Sequence, residues 1–456
     1  FGYGSAPLGS ACPRWSIYLV VSRLAACFAL FATCFSLSAA REPRVVDERR
    51  AAAAGIRVVD GARLRLYTDL PSRPEIDGLP EVFAAAVPQW AAYFALSQDQ
   101  LAGWKMQGYL IGDRDKFAAL GLMPEGNPDF VNGYAEGREL WLVDQPSDYY
   151  RRHLLLHEGT HGLMLSLLGG CGAGWYMEGT AELLGTHRYE QERLELNVVP
   201  ASREATPMWG RIKLVRDAGE QAETPSLRQV LAIDNRGRLT TAHYAWSWML
   251  SALLERDPRF HDRFRALQHQ VLAPDFNVRF ARWMAQDWET LERQWRATAA
   301  ELDYGYDFAR MSLVERPPAK PVDAARVEIS AERGWQSTGW LLKQGNAYRI
   351  EAAGRYQIAV DPPSLGGKPW LATPAGVTLQ YHGGHPLGAL LAALDPASGV
   401  QRAAGTCEVS FANPVLIGTG QTLELACDAV LYLRVNDSPA ELEDNRGSLE
   451  ATIRVD

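Results

Sequence analysis

The stretch LLLHEGTH at residues 154–161 decides how this chain is interpreted. Its two histidines, His157 and His161, are four residues apart, and in a helix that spacing puts both imidazoles on one face. A single metal ion could contact both rings, with Glu158 beside it. First-turn signals before residue 148 and a Gly-Gly pair after residue 168 predict that residues 148–168 form this helix.

A further acidic segment follows at a distance that suits a third metal ligand. Catalytic zinc takes three protein ligands and keeps a fourth position open for water. The segment WYMEGTAE, residues 175–182, begins a second predicted helix after a Gly-rich turn. That turn would bring Glu178 back over the first helix, beside the two histidines.

The two segments together resemble those of the gluzincin metallopeptidases, the peptidase-MA-like group related to thermolysin and to a family of zinc aminopeptidases. The resemblance implies an α+β domain in which His157, His161 and Glu178 hold Zn²⁺. It implies that Glu182 accepts the outer N–H of a ligating histidine and fixes its tautomer. Glu158 would take a proton from the attacking water and deliver it to the leaving amine. The alternative is a helix with two hydrogen-bonded histidines and surface acids.

A predicted helix near residues 241–255 offers a donor for the developing oxyanion. Tyr244 lies at about the sequence distance at which the similar aminopeptidases carry a catalytic tyrosine, so we assign it this role. His243 is the runner-up, because thermolysin-like enzymes use a histidine for the same task. An aromatic helix face packed in the core, with Trp246 and Trp248, is the competing interpretation.

The segment GYAEGRELWLV, residues 133–143, precedes the histidine helix and has the pattern of a strand. Gluzincins use an edge strand in this place to pair with an extended substrate backbone, so the resemblance predicts β-augmentation here. Glu136 is similar to the glutamate with which aminopeptidases hold a substrate amine, although the surrounding residues depart from that motif. Aminopeptidase activity is therefore a secondary hypothesis.

The C-terminal part of the chain has a different character. Residues 41–314 alternate strand-like runs with helical periodicities, whereas residues 323–456 contain short alternating segments separated by Gly, Pro, Asn and Asp. The second pattern predicts an all-β sandwich. Three prolines in the polar segment 315–322 predict a linker between the two domains.

A polar segment of the predicted sandwich, residues 433–448, places oxygen-bearing side chains between two strands, as a hard cation such as Ca²⁺ requires. It resembles the PA-IL type of galactose-binding lectin, and the similarity extends to residues 339–345 and 352–355. The resemblance implies that calcium binds here and that sugar hydroxyls bind through it. The matching positions are Asp437, Glu441, Asp444 and Asn445, with Glu441 in place of the family's threonine. Polar turns of a sandwich are the alternative interpretation.

The first 40 residues predict a leader. Residues 24–37 form a short apolar run, preceded by Arg23 and followed by a small-residue cleavage pattern that ends at Ala40, which is typical of a secretory signal peptide. We therefore expect a secreted or periplasmic protein without a transmembrane segment after cleavage. Because the chain begins with Phe1 and has no methionine before Met106, part of the leader could be untranslated.

Three cysteines follow the leader: Cys171, Cys407 and Cys427. Export makes a disulfide chemically reasonable. Cys407 and Cys427 lie in strand-like segments of one domain and are predicted to pair. Cys171 is then a small buried apolar residue.

The charge balance bears on the partners of this chain. The sequence has 46 Lys and Arg against 54 Asp and Glu, a formal charge of -8, and no basic stripe that would attract phosphates. We expect a peptide or protein substrate and, for the sandwich, glycans, but no nucleic acid. The alternative from another functional class is a carbohydrate-binding protein whose peptidase domain serves only as a scaffold.

Overall fold

The computed structural model describes residues 42–126, 130–221, 223–234, 239–317, 324–396 and 409–456. They form an α+β domain followed by a β-rich domain, which confirms the predicted fold class at that level. The finer assignment of the first domain as a metallopeptidase stays a prediction. The predicted leader, residues 1–40, and most of the predicted linker, residues 318–322, lie outside the described residues. None of the described helices has the length and apolar character needed to cross a bilayer.

A five-stranded mixed sheet forms one part of the first domain, in the order β1-β2-β3-β5-β4. The strands are β1 (Arg57–Asp60), β2 (Leu64–Thr68), β3 (Met106–Ile111), β4 (Gly133–Glu136) and β5 (Glu139–Val143). The three inner strands are parallel, and the two edge strands run antiparallel to their neighbours. A separate hairpin pairs β6 (His187–Glu190) with β7 (Arg193–Leu196).

Helices make up the rest of the first domain. They are α1 (Glu48–Ala53), α2 (Pro74–Asp77), α3 (Leu79–Tyr93), α4 (Gln98–Leu101), α5 (Arg114–Ala119), α6 (Asp148–Leu163), α7 (Gly174–Gly185), α8 (Arg211–Glu220), α9 (Leu227–Leu231), α10 (Thr241–Arg256), α11 (His261–Ala266), α12 (Phe276–Trp283) and α13 (Trp288–Glu301). Short 3₁₀ turns at Leu267–Gln270 and Ala285–Asp287 connect the last of them. One large apolar core lies between these helices and one face of the sheet.

The histidine helix begins where the sequence predicts but changes its form near the end. The Ser147 hydroxyl caps it by accepting a hydrogen bond from the backbone N–H of Tyr150. The α-helix ends at Leu163, and Met164–Leu168 continue as a π-helix that stops at Gly169 with φ 82°. The predicted helical segment therefore has two forms, and short π segments are frequent at functional sites.

Glycines allow two pairs of helices near the histidines to approach each other closely. A Cβ atom added at Gly179 of α7 would lie 2.5 Å from the carbonyl oxygen of Ser247 in α10. One added at Gly159 of α6 would lie 2.7 Å from the ring of Phe83 in α3. Because real Cβ atoms do not come so near, glycine lets α7 pack closely on α10 and α6 pack closely on α3.

The β-rich domain consists of two larger sheets and one hairpin. The strands are β8 (Ala324–Ser330), β9 (Gln336–Leu342), β10 (Ala347–Gly354), β11 (Tyr356–Val360), β12 (Pro369–Ala372), β13 (Ala375–His382), β14 (His385–Pro396), β15 (Val415–Leu416), β16 (Gly420–Glu424), β17 (Ala429–Val435) and β18 (Ser448–Val455). One sheet has the order β16-β10-β18-β8 and the other β13-β14-β17-β9, with β15 beside β14. Apolar residues from both sheets share one core.

An ion pair between a buried arginine and a partly buried glutamate joins the two domains. Arg434 of β17 is 2% exposed and donates hydrogen bonds to Glu301 Oε2 at 2.6 Å and to the carbonyl oxygen of Asp437 at 2.6 Å. The indole N–H of Trp335 donates to Glu301 Oε1 at 3.0 Å. Burial raises the pKa of Glu301, and Arg434 opposes that effect by favouring the carboxylate.

Apolar and backbone contacts extend this junction. Leu313, Trp335 and Tyr432 belong to an apolar cluster drawn from both domains. The loop after β17 lies on the first domain: the backbone N–H of Asp307 donates to Pro439 O at 3.0 Å, and Leu442 is part of the first domain's core. The loop that carries the predicted calcium residues is thus held by the helical domain.

His187, at the start of β6, is a buried neutral histidine. Its ring stacks on Tyr149 with centroids 4.5 Å apart, and its Nδ1 lies 2.8 Å from the carbonyl oxygen of Gly185. Burial lowers its pKa to about 3. An unfolded histidine has a pKa of about 6.5, so below that pH the unfolded chain binds the proton first and folding stability falls as the pH falls towards 3.

Replacing His187 with Phe should therefore reduce the pH dependence of stability. From the two pKa values, the His187 contribution falls by about 2 kcal/mol between about pH 7 and pH 5. The variant keeps the ring stack but loses the proton site, so its loss of stability over this range should be smaller than the parent's by about that amount. Urea unfolding at both pH values measures this difference. Equal losses in the two proteins would contradict the prediction.

Candidate metal centre

Three predicted ligands meet between α6 and α7. The Nε2 atoms of His157 and His161 lie 3.1 Å apart. Glu178 Oε2 lies 3.2 Å from the first nitrogen and 3.4 Å from the second. All three side chains are buried, so helix spacing and the Gly-rich turn bring the predicted donors to a single point.

The chemistry and spacing of these donors fit zinc. Two imidazole nitrogens and one carboxylate oxygen are a common ligand set for catalytic zinc. Around a tetrahedral ion with bonds of about 2.0–2.1 Å, neighbouring donors are about 3.3 Å apart, close to the separations found here. The contacts of Glu178 Oε2 with the two histidines lack hydrogen-bond geometry, so this buried oxygen has ionic contacts but no hydrogen-bond partner among the described residues. A buried polar atom without a hydrogen bond is unusual in proteins, and a bound metal ion would satisfy it.

The electrostatics of the three groups favour a positive charge at their centre. Burial would lower the pKa of His157, but its contact with Glu178 and the surrounding carboxylates raise it to about 9. The pKa of His161 is also raised to about 9, against burial, mainly by Glu178. Burial would raise the pKa of Glu178, but the two histidines lower it to about 2. A divalent cation would supply the same charge in place of the protons.

Glu158 lies beside these ligands on α6 and is 6% exposed. Burial raises its pKa, although the neighbouring histidines act in the opposite direction. A Cβ atom added at Gly133 would lie 2.8 Å from Glu158 Cγ, so edge strand β4 passes directly along this carboxylate. The importance of Gly133 was not recognised from the sequence, although it begins the segment proposed to pair with substrate.

Glu182 lies on the outer side of His157, where the resemblance predicts it. Its Oε1 is 3.6 Å from His157 Nδ1, beyond direct hydrogen-bond distance, so its role in fixing the tautomer stays a prediction. Arg211 donates to both of its carboxylate oxygens, at 2.8 and 3.1 Å, and Trp209 donates to Oε2 at 3.0 Å. Burial would raise the pKa of Glu182, but Arg211 and His153 hold it well below its usual value.

A second trio, His153, His157 and Glu182, is also spaced closely enough to hold a metal ion. Arg211 already neutralises Glu182, so a second cation at this place would face direct repulsion. We therefore interpret this group as a support for His157. Neither His153 nor Arg211 has a pattern in the sequence that predicts this role, although His153 lies one helical turn before His157.

Tyr244 of α10 faces the metal centre, with its ring centroid 6.1 Å from that of His157. The Arg211 guanidinium lies 5.5 Å from the Tyr244 ring. Burial and the nearby carboxylates raise the pKa of Tyr244, so its hydroxyl is a hydrogen-bond donor at neutral pH. His243 Nδ1 instead accepts a hydrogen bond from the backbone N–H of Thr240 at the start of the helix. The geometry favours Tyr244 over His243.

Replacing Tyr244 with Phe tests the predicted donor. Loss of one oxyanion donor typically lowers kcat by about 100- to 1000-fold, and we expect a fall of this size with zinc content unchanged. Steady-state kinetics and metal analysis of the same preparation measure the two quantities. A variant with the parent's kcat would assign Tyr244 to packing alone, like Trp246, which packs against Trp295.

Three of the predicted calcium residues, Asp437, Glu441 and Asp444, line a cavity of about 500 Å³ together with Gln380 and Trp370. Asp437 Oδ2 accepts a hydrogen bond from Asn445 Nδ2 at 2.8 Å, and burial raises the Asp437 pKa to about 6. Asp444 Oδ2 accepts from the backbone N–H of Val360. Glu441 is exposed. Within the described ranges, the three carboxylates do not form a group as tight as the histidine centre. Their role in binding calcium stays a prediction.

The cysteines agree with the sequence analysis as far as they are described. Cys171 is buried and free, as expected. Cys427 is disulfide-bonded, but its predicted partner Cys407 lies outside the described residues. The pairing of Cys407 with Cys427 therefore stays a prediction.

Comparisons with known proteins give matches among solved structures alone, and the one described here is weak. No protein-family model and no curated protein matches the chain. Among solved structures, the EclA N-terminal domain, described as a PllA-like lectin, is 16% identical and has a TM-score of 0.21. The match covers 30% of this chain and 97% of that one. A similarity of this strength does not indicate the function of this chain.

Proposed function

We propose that the first domain is a zinc-dependent peptidase and that His157, His161 and Glu178 hold the metal. The observation that carries this proposal is the convergence of three buried donors within 3.4 Å of one another. Glu158 follows the first ligand directly in the sequence. This combination provides a metal position and a proton acceptor side by side.

In this proposal each residue of the site has a separate role in hydrolysis. Bound zinc would lower the pKa of a coordinated water to near 7 and polarise the scissile carbonyl. Glu158 accepts a proton from the attacking water and delivers it to the leaving nitrogen. Tyr244 donates a hydrogen bond to the oxyanion. Glu182, held by Arg211, orients His157, and β4 pairs with the extended substrate backbone.

Metal content and peptide hydrolysis of purified residues 41–456 test the proposal. We expect one zinc per chain by elemental mass spectrometry and cleavage of a mixed peptide library. A chelator should abolish cleavage and added zinc should restore it. A protein that binds no zinc would overturn the metal site. Bound zinc without cleavage would favour the alternative in which this domain is a scaffold.

The second candidate function is carbohydrate binding by the β-rich domain. It is supported by the cavity beside Asp437, which combines carboxylates and the Gln380 amide with the indole of Trp370. Aromatic faces and polar side chains of this kind suit a sugar ring, and calcium could bridge the carboxylates to its hydroxyls. Such binding would direct the peptidase to glycosylated substrates. A glycan microarray with and without calcium tests it, and no binding under either condition would reject it.

A further inference from the structure

The two faces of β4 have different surroundings. Side chains alternate between the faces of a strand. Gly133 faces α6, because a Cβ atom at this position would meet the side chain of Glu158. Tyr134 faces the opposite side, where its ring lies 5.9 Å from both Phe130 and Trp141. The first residue of the strand therefore marks the face that belongs to the metal centre.

Glu136 lies on the face away from the metal centre. It is two residues beyond Tyr134, so the strand pattern puts both side chains on the same side. Glu136 pairs with Glu139 across the hairpin, and Glu139 accepts a hydrogen bond from Tyr109 at 2.8 Å on the same far face.

The position of Glu136 along the strand separates it further from the reaction. Three residues of strand span about 10 Å. Gly133, at the other end of β4, is the residue beside Glu158. A clamp for a substrate amine must lie within a residue or two of the scissile bond and on the same side as the metal. Glu136 meets neither condition.

The remaining carboxylates at the centre are already engaged. Glu178 is a ligand in the proposed function, and Glu182 is neutralised by Arg211. The same ion pair occupies the Arg211 guanidinium, which is therefore not free to hold a substrate carboxylate. The described charged groups at this site serve the metal and its support rather than a charged end of a peptide.

The outer edge of β4 offers a place for an uncharged backbone. β4 is the last strand in its sheet, and no other described strand pairs with its outer side. We infer that the peptidase is an endopeptidase, which binds an internal, extended segment of polypeptide along β4 and does not recognise a free amino terminus. This inference rests on the proposed function.

Two versions of one peptide test the inference. One has free termini, and the other is N-acetylated and C-amidated; both are taken from a sequence that the enzyme cleaves in the library. We expect internal cuts in both, with kcat/KM values within about threefold of each other. Stepwise removal of residues from the free peptide alone would overturn the inference and leave the peptidase proposal intact. Failure to cleave any library peptide would overturn both.

Glu136→Gln is the matched variant. An amine clamp that loses its charge should lower kcat/KM for the free peptide by about tenfold or more and leave the blocked peptide unaffected. We expect no selective loss, because the Glu136 side chain lies on the face of β4 away from the metal centre. A selective loss on the free peptide would show that Glu136 reaches the amine, and would overturn the inference.

Discussion

Replacing Glu158 with Gln should lower kcat/KM for peptide hydrolysis by about a thousandfold while the protein still binds one zinc per chain. The amide has nearly the same shape as the carboxylate but cannot accept the proton of the attacking water. Glu158 is not one of the three converging donors, so the metal should remain. Kinetics on a cleaved library peptide and elemental analysis give the two values.

Glu220→Gln is a suitable control for this experiment, because it makes the same chemical change on the exposed end of α8. It should retain the parent's activity. If Glu158→Gln kept more than a tenth of that activity, Glu158 would not be the proton acceptor. If the variant lost zinc, the residue would have a role in metal binding that the geometry does not indicate.

Replacing Arg434 with Met should lower the free energy of unfolding by about 3–5 kcal/mol. The substitution keeps an unbranched chain beside Trp335 but leaves the partly buried Glu301 carboxylate without its counter-charge. It also removes the hydrogen bond to the carbonyl oxygen of Asp437. Urea unfolding at neutral pH, followed by tryptophan fluorescence, measures the change.

The double variant Arg434→Met, Glu301→Gln separates the loss of the pair from the cost of an unpaired charge. The amide oxygen introduced at position 301 can still accept the indole hydrogen bond from Trp335, and no isolated charge remains. We expect the double variant to be more stable than the single variant. A single variant within about 1 kcal/mol of the parent would mean that water reaches Glu301 after the change.

The histidine helix could be predicted because the sequence signals that define it all lie within or next to the helix. The four-residue spacing of His157 and His161, the cap at Ser147 and the glycines after residue 168 all act within one helix. The position of Glu178 could not be predicted from spacing within one helix, because a turn between the two helices reverses the chain before it. It was found through the resemblance of its segment to a known family.

The supports of the site could not be predicted in the same way. Arg211 meets Glu182 across 29 residues, and neither position has a pattern that identifies the other. Nothing in the sequence distinguishes Gly133 from the other glycines, and its contact with Glu158 is seen only in the folded chain. The ion pair between Arg434 and Glu301 spans 133 residues and runs against the general rule that charged side chains stay at the surface. Such contacts depend on the tertiary arrangement.

The loop at residues 437–442 packs on the helical domain. This contact limits the experiments that can assign each proposed activity to one domain. Either half produced alone would lose the partner of a buried charge and expose apolar side chains such as Leu442 and Tyr432 to water. Truncated fragments would then be prone to aggregation, and a lack of binding or catalysis in them would say little. Point substitutions in the intact chain are the sound way to assign each activity to its domain.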